Sequence, residues 1–573
     1  MFKNIFNKVI FGIKILDLLL SVFNFLMLFS LRICWSGISK KLGYEDNYSD
    51  LLYNLPVIIC SITLVLMIAN IVLFKVSKKE SKIWAFVLLF FHIVFFVVNM
   101  VIIKLGAIDY MYFVWPWFFL YLGLLVLVLG VLFFIFIYPN SKLKGSKIFK
   151  YSCLSAVLLL TGIKVFDVSI NSIEHKPVVY AVENEYQIVF TSYTHARGWV
   201  EINGVRYFDN YAGSNEGNSK IHKIHVPMNI LDSYKEYTIH TQKITYRGPF
   251  GGYLGRDISE TYTFRPVNVD DGFSYYVISD VHEAFKATTK AASYASDMEL
   301  LILTGDISSM LEWDRDLYAA NDLAHSITNG EFPVIYARGN HELKGRKAEE
   351  LHKVVGSKNE NFYYSFTLSE QIYGVVLDVG EDHEDDYWEY YDTAFFNQYR
   401  NEQLSFLQDE LNNKDLSKYK YKMSICHIPL TFVNTRHNHE SFKKEATELL
   451  NQMGIDISLS GHQHDLFIFE PATVTPEEEL TYNKDYLSSG KTIKAYMTNA
   501  IFPSLLVSKR GYTQTDAVPL QNMKSQICMK VEVDFINNVQ KCIYNNSRGE
   551  KINMVNPFYN KTYGNEIIFS FSN

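Results

Sequence analysis

Residues 275–282 read Tyr-Tyr-Val-Ile-Ser-Asp-Val-His, a short apolar run that ends in a carboxylate and an imidazole. Apolar runs of this length, rich in Val, Ile and Tyr, are typical of buried strands. Asp280 and His282 lie two positions apart just past the end of this run, so their side chains can point to the same side and hold one metal ion. The stretch therefore predicts a strand that delivers metal ligands at its carboxyl end.

The same arrangement recurs four times further along the chain. Later apolar runs end in Gly305-Asp306, in Gly339-Asn340-His341-Glu342, in His427 and in Gly461-His462-Gln463-His464. Open α/β sheets place their sites at the carboxyl ends of the strands. The sequence therefore predicts that five strands bring ligand-type side chains to one centre.

Helical patterns alternate with these strands. They cover residues 313–327, 401–411 and 441–453, and alternation of strands and helices predicts an α/β domain over residues 268–573. Between the strands, the acidic and aromatic stretch at 381–399 is interpreted as a solvated loop near the entrance of the site. We expect Glu342 to orient groups around the site rather than to bind substrate.

Residues 169–267 have a different character, with short runs in which polar and apolar positions alternate. Asn203-Gly204, between two such runs, is a strong signal for a tight hairpin. This pattern predicts a small antiparallel β-sandwich as a separate domain.

The first 168 residues carry five apolar runs of about 20 residues each, the length of a transmembrane helix. The runs cover residues 10–35, 51–74, 83–104, 112–138 and 148–166. Lys side chains are concentrated before the first run, in the second loop and in the fourth loop, so the positive-inside rule places the N-terminus inside the cell. Five spans then predict a multi-pass protein integral to the cell membrane, with an extracytoplasmic C-terminal part.

Charge divides the chain in the same way. Residues 1–168 contain 16 Lys and Arg against 7 Asp and Glu, and the remainder contains 38 against 54. An acidic remainder argues against nucleic acid as a partner, because phosphate backbones require basic surface. The 6 Cys form no disulfide framework and no CxxC zinc motif.

The five motifs in this order resemble those of the calcineurin-like metallophosphoesterase superfamily, over about residues 275–470. The resemblance implies a layered β-sandwich flanked by helices that binds two divalent metal ions, for which Mn, Fe or Zn suits the mixed oxygen and nitrogen ligands. A hydroxide shared by the metals would attack phosphorus, and His341 is the expected catalytic proton donor. The implied ligands of the two metals, with Asp306 shared as the bridge, are Asp280, His282, Asp306, Asn340, His427, His462 and His464.

An immunoglobulin-like or fibronectin-III-like domain before such a catalytic domain is similar to the purple acid phosphatase branch. That branch carries a Tyr ligand three residues after the bridging Asp, and here the position is Ser309. Without a phenolate ligand, we expect a colourless or weakly coloured enzyme.

Together these features predict a multi-domain, membrane-anchored metal-dependent phosphoesterase with an α-helical transmembrane bundle. Anchoring by several spans suggests a substrate near the membrane, such as a phosphate ester of a lipid headgroup or of the cell envelope. Both phosphatases and phosphodiesterases use this type of site, so the sequence leaves that choice open. The alternatives are a membrane receptor or sensor whose phosphoesterase-like domain binds without turnover, and a transporter with an accessory hydrolase.

Overall fold

The structure is a computed structural model. It describes residues 171–211, 215–216, 218–247, 252–381, 383–434, 439–464, 466–471, 480–484, 491–508, 526–556 and 561–571, with Val65 and Phe90 alone before them. The chain divides into two compact units, of which the first comprises residues 1–170 and 243–256 and the second residues 171–242 and 257–573.

The described residues form strands, short and long, in five sheets. The strands are β1 Val178–Val182, β2 Glu185–Ile202, β3 Val205–Phe208, β4 Asn210–Tyr211, β5 Asn215–Glu216, β6 Ser219–Pro227, β7 Glu236–Arg247, β8 Gly252–Thr263, β9 Gly272–Ile278, β10 Leu300–Leu303, β11 Val334–Tyr336, β12 Tyr364–Leu368, β13 Ile372–Leu377, β14 Tyr421–Cys426, β15 Phe432–Asn434, β16 Ile457–Ser460, β17 Ile468–Phe469, β18 Leu480–Lys484, β19 Lys491–Met497, β20 Ser504–Leu506, β21 Ile527–Asp534, β22 Val539–Asn546, β23 Met554–Asn556, β24 Lys561–Gly564 and β25 Ile567–Ser570.

Helices alternate with the central strands, as predicted. The α-helices are α1 Met228–Tyr234, α2 Phe285–Ala292, α3 Asp314–Leu317, α4 Ala319–Thr328, α5 Phe396–Asn413 and α6 Glu440–Met453; the 3-10 helices are His341–Leu343, Ala348–Lys353, Trp388–Tyr390 and Leu416–Lys418. The helices predicted at residues 313–327, 401–411 and 441–453 correspond to α3 with α4, to α5 and to α6.

Two large sheets carry the candidate ligands. In the first sheet, β9, β10 and β11 are parallel neighbours in that order. In the second sheet, β14 lies between β13 and β16, and all three are parallel. The loops that carry the five motifs therefore follow the carboxyl ends of β9, β10, β11, β14 and β16.

The alternation of side chains between the two faces of each strand explains how the sheets and helices form layers. Tyr275 and Val277 of β9 belong to the same buried cluster as Met423 of β14, so the two sheets share one core. Tyr276 and Ile278 point the other way, toward a second cluster that includes residues of α2 and α4. Successive side chains of a strand face opposite sides, so the pattern gives a two-sheet core.

Helices cover the outer face of the second sheet as well. Tyr373 and Leu377 of β13 share a third buried cluster with Leu407 of α5 and with Phe442 and Leu450 of α6. The order of layers is therefore helices, sheet, sheet, helices. This is the layered arrangement that the resemblance implied.

The strands predicted between residues 169 and 267 are present, and the hairpin at Asn203-Gly204 joins β2 to β3 with Ile202 opposite Val205. Strand β1 pairs in parallel with β11, Tyr180 opposite Val334, and thereby joins the sheet that carries the site. This long-range pairing leaves no local signal in the sequence of either strand.

Apart from the single residues Val65 and Phe90, the five predicted membrane spans lie outside the described residues. Within the part of the chain that the structure describes, no helix has the length and apolar character needed to cross a bilayer.

Candidate metal centre

The loops after five strands bring all eight predicted site residues together. Six of them form two groups of potential ligands that share one residue. Asp280, His282, Asp306 and His464 form one group, in which the ligand atoms lie within 4.8 Å of one another. Asp306, His427 and His462 form the second group by the same measure. Asp306 belongs to both groups, which is the position a bridging ligand requires.

Asn340 joins the second group through its amide. Its Oδ1 lies 3.2 Å from His462 Nδ1, and its Nδ2 donates to Glu381 Oε2 at 3.2 Å. Because Glu381 accepts from the nitrogen, the amide oxygen is the atom turned toward the site. An amide oxygen is a suitable ligand for a divalent cation, so the predicted role of Asn340 fits its orientation.

His427 provides a test of whether the residues fit a cation. Its Nδ1 lies 2.6 Å from the carbonyl oxygen of Thr304, which can only accept, so Nδ1 carries a hydrogen. The buried Nε2 then lies 3.1 Å from Asp306 Oδ2 without the geometry of a hydrogen bond. When His427 is neutral, Nε2 and Oδ2 are two lone-pair atoms that face each other in a buried site, and they call for a proton or a metal cation between them.

The charges of the site support the same conclusion. Burial lowers the pKa of His427, but the Asp306 carboxylate outweighs burial and raises it to about 10. Burial raises the pKa of Asp280, but a hydrogen bond from His464 outweighs it and holds that pKa below its usual range. The buried carboxylates therefore require positive charge beside them, from protons or from metal cations.

His282 is also suited to metal binding, but its pKa is lowered, whereas that of His427 is raised. Burial lowers its pKa to about 4, so its imidazole is neutral near pH 7. Its Nε2 lies 3.2 Å from Nε2 of His464. Neutral imidazole nitrogens are the form that binds metals.

The backbone of the ligand loops is strained. Five of the seven candidate ligands have positive φ angles, namely Asp280, His282, Asp306, His462 and His464, with φ between 42° and 70°. Positive φ is uncommon for residues other than Gly, and it is found preferentially at functional sites. With left-handed turns at His462 and His464, two side chains close in sequence reach the two ligand groups that share Asp306.

Glu342 holds the loop that carries Asp306. It is buried, and its two oxygens accept the backbone N–H groups of Asp306, Ile307 and Gly339 at 2.8, 2.6 and 2.9 Å. Burial and the nearby Asp306 raise the pKa of Glu342 to about 7. The predicted orienting role of Glu342 thus has a geometric basis.

His341 stands at the edge of the two ligand groups. Its Nε2 lies 4.0 Å from Asp306 Oδ2, and about a third of its side chain is exposed. Its Nδ1 lies 2.7 Å from the carbonyl oxygen of Ser309. An accessible imidazole beside the ligands can reach a substrate atom, which the buried His427 cannot.

The sequence did not predict the role of Glu381 beside the centre. The stretch 381–399 was interpreted as a solvated loop, but Glu381 at its start is buried and accepts from Asn340 while it pairs with Lys344 at 2.8 Å. The loop interpretation is therefore wrong for Glu381. Its position in an acidic run does not indicate burial, since only the fold brings Glu381 beside Asn340.

Comparison with known proteins agrees with this site. Residues 273–466 match the family model described as calcineurin-like phosphoesterase, and all eight predicted site residues lie within that range. The chain therefore contains a calcineurin-like metallophosphoesterase domain. No curated protein matches the chain.

Solved structures show low similarity over much of the chain. A purple acid phosphatase from yellow lupin (Lupinus luteus) seeds has a TM-score of 0.41 at 15% identity, over 69% of this chain and 74% of that one. PhoD has a TM-score of 0.39 at 10% identity, over 69% of this chain and 90% of that one. GAP50, the anchor in the inner membrane complex of Plasmodium, has a TM-score of 0.32 at 12% identity, over 52% of this chain and 90% of that one.

Proposed function

We propose that the protein is a membrane-anchored phosphoric ester hydrolase that works with two divalent metal ions and has its catalytic domain outside the cytoplasm. The observation that carries the catalytic part is the pair of ligand groups that share Asp306. A matching family model over residues 273–466 supports the same chemistry.

In this proposal the seven residues Asp280, His282, Asp306, Asn340, His427, His462 and His464 hold the two metals, and Mn, Fe or Zn suits their mixed donors. When bound, two divalent ions would supply a nucleophile at neutral pH and offset negative charge on the phosphoryl group. The protein's own contribution is to place the donors: Glu342 fixes the Asp306 loop, and Glu381 turns the Asn340 oxygen inward.

His341 is the proposed catalytic proton donor. In its protonated form, Nδ1–H is held by the Ser309 carbonyl oxygen, and Nε2–H is free to pass its proton to the leaving oxygen as the P–O bond breaks. General acid catalysis of this kind contributes about 10²- to 10⁴-fold to a rate. A partly exposed side chain at the rim of the ligand groups is suitably placed for it.

The membrane part of the proposal rests on the sequence. Five apolar runs and the Lys distribution between them support a multi-pass anchor with the C-terminal part outside. An enzyme held there would meet phosphate esters of lipids or of the cell envelope, which makes these the proposed substrate class. Protease added to intact cells should cut the C-terminal part, and protection of that part would contradict the topology.

The test of the activity is hydrolysis of a chromogenic monoester and a chromogenic diester by the full-length protein in detergent. We expect turnover with added Mn²⁺ and loss of turnover with chelator. The preferred ester decides between phosphatase and phosphodiesterase. Metal binding without turnover of either ester would contradict a broad hydrolase and favour a receptor that binds without catalysis.

A further inference from the structure

Two loops of the site are joined edge to edge. The backbone N–H groups of Asp280, His282 and Glu283 donate to the carbonyl oxygens of Gly305, Asp306 and Ile307 at 3.1, 3.2 and 3.3 Å. At the far end of this seam, the Glu283 carboxylate accepts twice from Ser309: from its backbone N–H at 2.7 Å and from its hydroxyl at 2.6 Å. Neither Glu283 nor Ser309 belongs to the two ligand groups.

Ser309 contacts two histidines of the site at once. Its carbonyl oxygen lies 2.7 Å from His341 Nδ1, and its hydroxyl oxygen lies 3.4 Å from His282 Nδ1. One residue outside the ligand groups therefore lies beside both the proposed proton donor and a proposed ligand.

The direction of each hydrogen bond follows from what the partners can do. A carbonyl oxygen only accepts, so Nδ1 of His341 carries the hydrogen and Nε2 is the atom that exchanges a proton with substrate. A carboxylate also only accepts, so the Ser309 hydroxyl is committed as a donor to Glu283. Its remaining lone pairs can then only accept from Nδ1–H of His282, which leaves His282 Nε2 as the lone-pair atom that faces the site.

We propose that Glu283 and Ser309 form a positioning pair that fixes the tautomers of His282 and His341. The inference rests on the proposed function, because it gives the pair a role in the same site. It also gives a role to Ser309, which stands where the purple acid phosphatase branch carries a tyrosine ligand. Outer partners of ligating histidines act in this way, and their loss typically lowers metal affinity or activity about 10- to 100-fold.

The two contacts of Ser309 can be separated by substitution. Ser309→Ala removes the hydroxyl and keeps the carbonyl, so it affects His282 and leaves the His341 contact in place. Ser309→Thr restores a hydroxyl. Glu283→Gln replaces one carboxylate oxygen, which can only accept, by an NH₂ group, which donates. This NH₂ would face a donor of Ser309, so the substitution disturbs the contacts of Ser309 with both His282 and His341. Because Glu283 is exposed and Ser309 partly exposed, these changes leave the buried core intact.

Metal affinity is the first measurement, since it does not depend on turnover. Zn²⁺ would be titrated into the full-length, metal-stripped protein in competition with a fluorescent chelator. We expect Ser309→Ala and Glu283→Gln to weaken binding at one of two sites by about 10- to 100-fold, and Ser309→Thr to restore it. The matched control is Glu312→Gln, because Glu312 likewise accepts from a backbone N–H and a side chain, those of Arg346, outside the site.

The second measurement compares esters with good and poor leaving groups, because a good leaving group needs no proton from His341. Glu283→Gln should lower kcat more for an alkyl phosphate than for a nitrophenyl phosphate, whereas Ser309→Ala should lower both equally. Unchanged metal affinity in Ser309→Ala and Glu283→Gln would overturn the proposal, with or without turnover of the unsubstituted protein. Equal losses in the control would overturn it as well, whereas a metal-binding protein that turns over no ester would count against the proposed function alone.

Discussion

Replacement of Asp306 by Asn separates metal binding from folding more clearly than any other change in the site. Asp306 is almost fully buried and belongs to both ligand groups. The substitution keeps the size of the side chain and its Oδ1, which accepts the backbone N–H of His341 at 2.9 Å. It exchanges Oδ2, the atom that faces His427, for an NH₂ group.

The metal-free protein should tolerate this change. In wild type, the interaction of His427 with Asp306 at 3.1 Å is a buried ion pair. In the variant, Nδ2–H can donate to His427 Nε2, and a neutral hydrogen bond contributes about 1 kcal/mol. Replacement of a buried ion pair by well-fitted neutral groups is often close to neutral, so we expect the metal-free stability to change by only about 1 kcal/mol.

The response to metal should be lost instead. A ligand that binds only the folded state stabilises it by about 2.7 kcal/mol at 100 times its Kd. Both ligand groups lose their shared carboxylate in Asp306→Asn, so this increment should fall toward zero. The assay is thermal unfolding of the full-length protein in detergent, with chelator and with a Mn²⁺ titration, and phosphoesterase activity is read in parallel.

Asp322→Asn is the matched control, because that carboxylate bonds to His175 at 2.7 Å away from the ligand groups. It should keep the full metal response. The reasoning is refuted if Asp306→Asn gains as much stability from metal as wild type does. If Asp306→Asn lost several kcal/mol of unfolding free energy in the presence of chelator, Asp306 would instead act mainly to stabilise the metal-free fold.

Three further outcomes follow from other positions. Gly461→Ala should abolish metal binding and activity, because a Cβ there would lie 1.8 Å from Ser279 Oγ and 2.6 Å from Asp280 Oδ2, and a normal metal titration would contradict this. Burial raises the pKa of Asp456 from 3.8 to about 6, so the folded state keeps a proton that the unfolded state has lost, and stability should fall as pH rises from about 4 to about 6. Asp456→Asn should remove this fall and raise stability at pH 8 by up to about 3 kcal/mol in a pH series of melting curves; a wild-type series that is flat over this range would disagree. The iron-loaded protein should show no intense absorption band in the mid-visible, because Ser309 offers no phenolate and its hydroxyl bonds to Glu283. A purple protein would contradict this prediction.

Local patterns were sufficient for much of the fold. Buried strands such as β9 and helices such as α6 are predictable from the spacing of apolar residues over a short stretch. The turn at Asn203-Gly204 is predictable from that dipeptide alone. The candidate ligands were predictable for the same reason, since each follows a strand and each is a residue type that metals bind. The structure brings all of them to one place.

Long-range pairing was not predictable in this way. The parallel contact of β1 with β11 joins residues more than 150 positions apart, and nothing in either strand marks its partner. The structural roles of Glu381, Glu283 and Ser309 were not predicted for the same reason. Their roles depend on hydrogen bonds across loops, and an exposed Glu in a sequence has no feature that distinguishes it from a solvated one.

The strained loops explain why the site needs this outer support. Five ligand residues with positive φ each cost on the order of 1 kcal/mol, a total comparable with the stability of an ordinary domain. Apolar packing cannot offset this locally, because the ligand loops carry polar side chains. The compensating contacts are those of Glu342 with the backbone of residues 306–308 and of Glu283 with Ser309. Both carboxylates accept from backbone N–H groups of the same short loop, residues 306–309, so the conformation of Asp306 depends on these contacts as well as on its own strand.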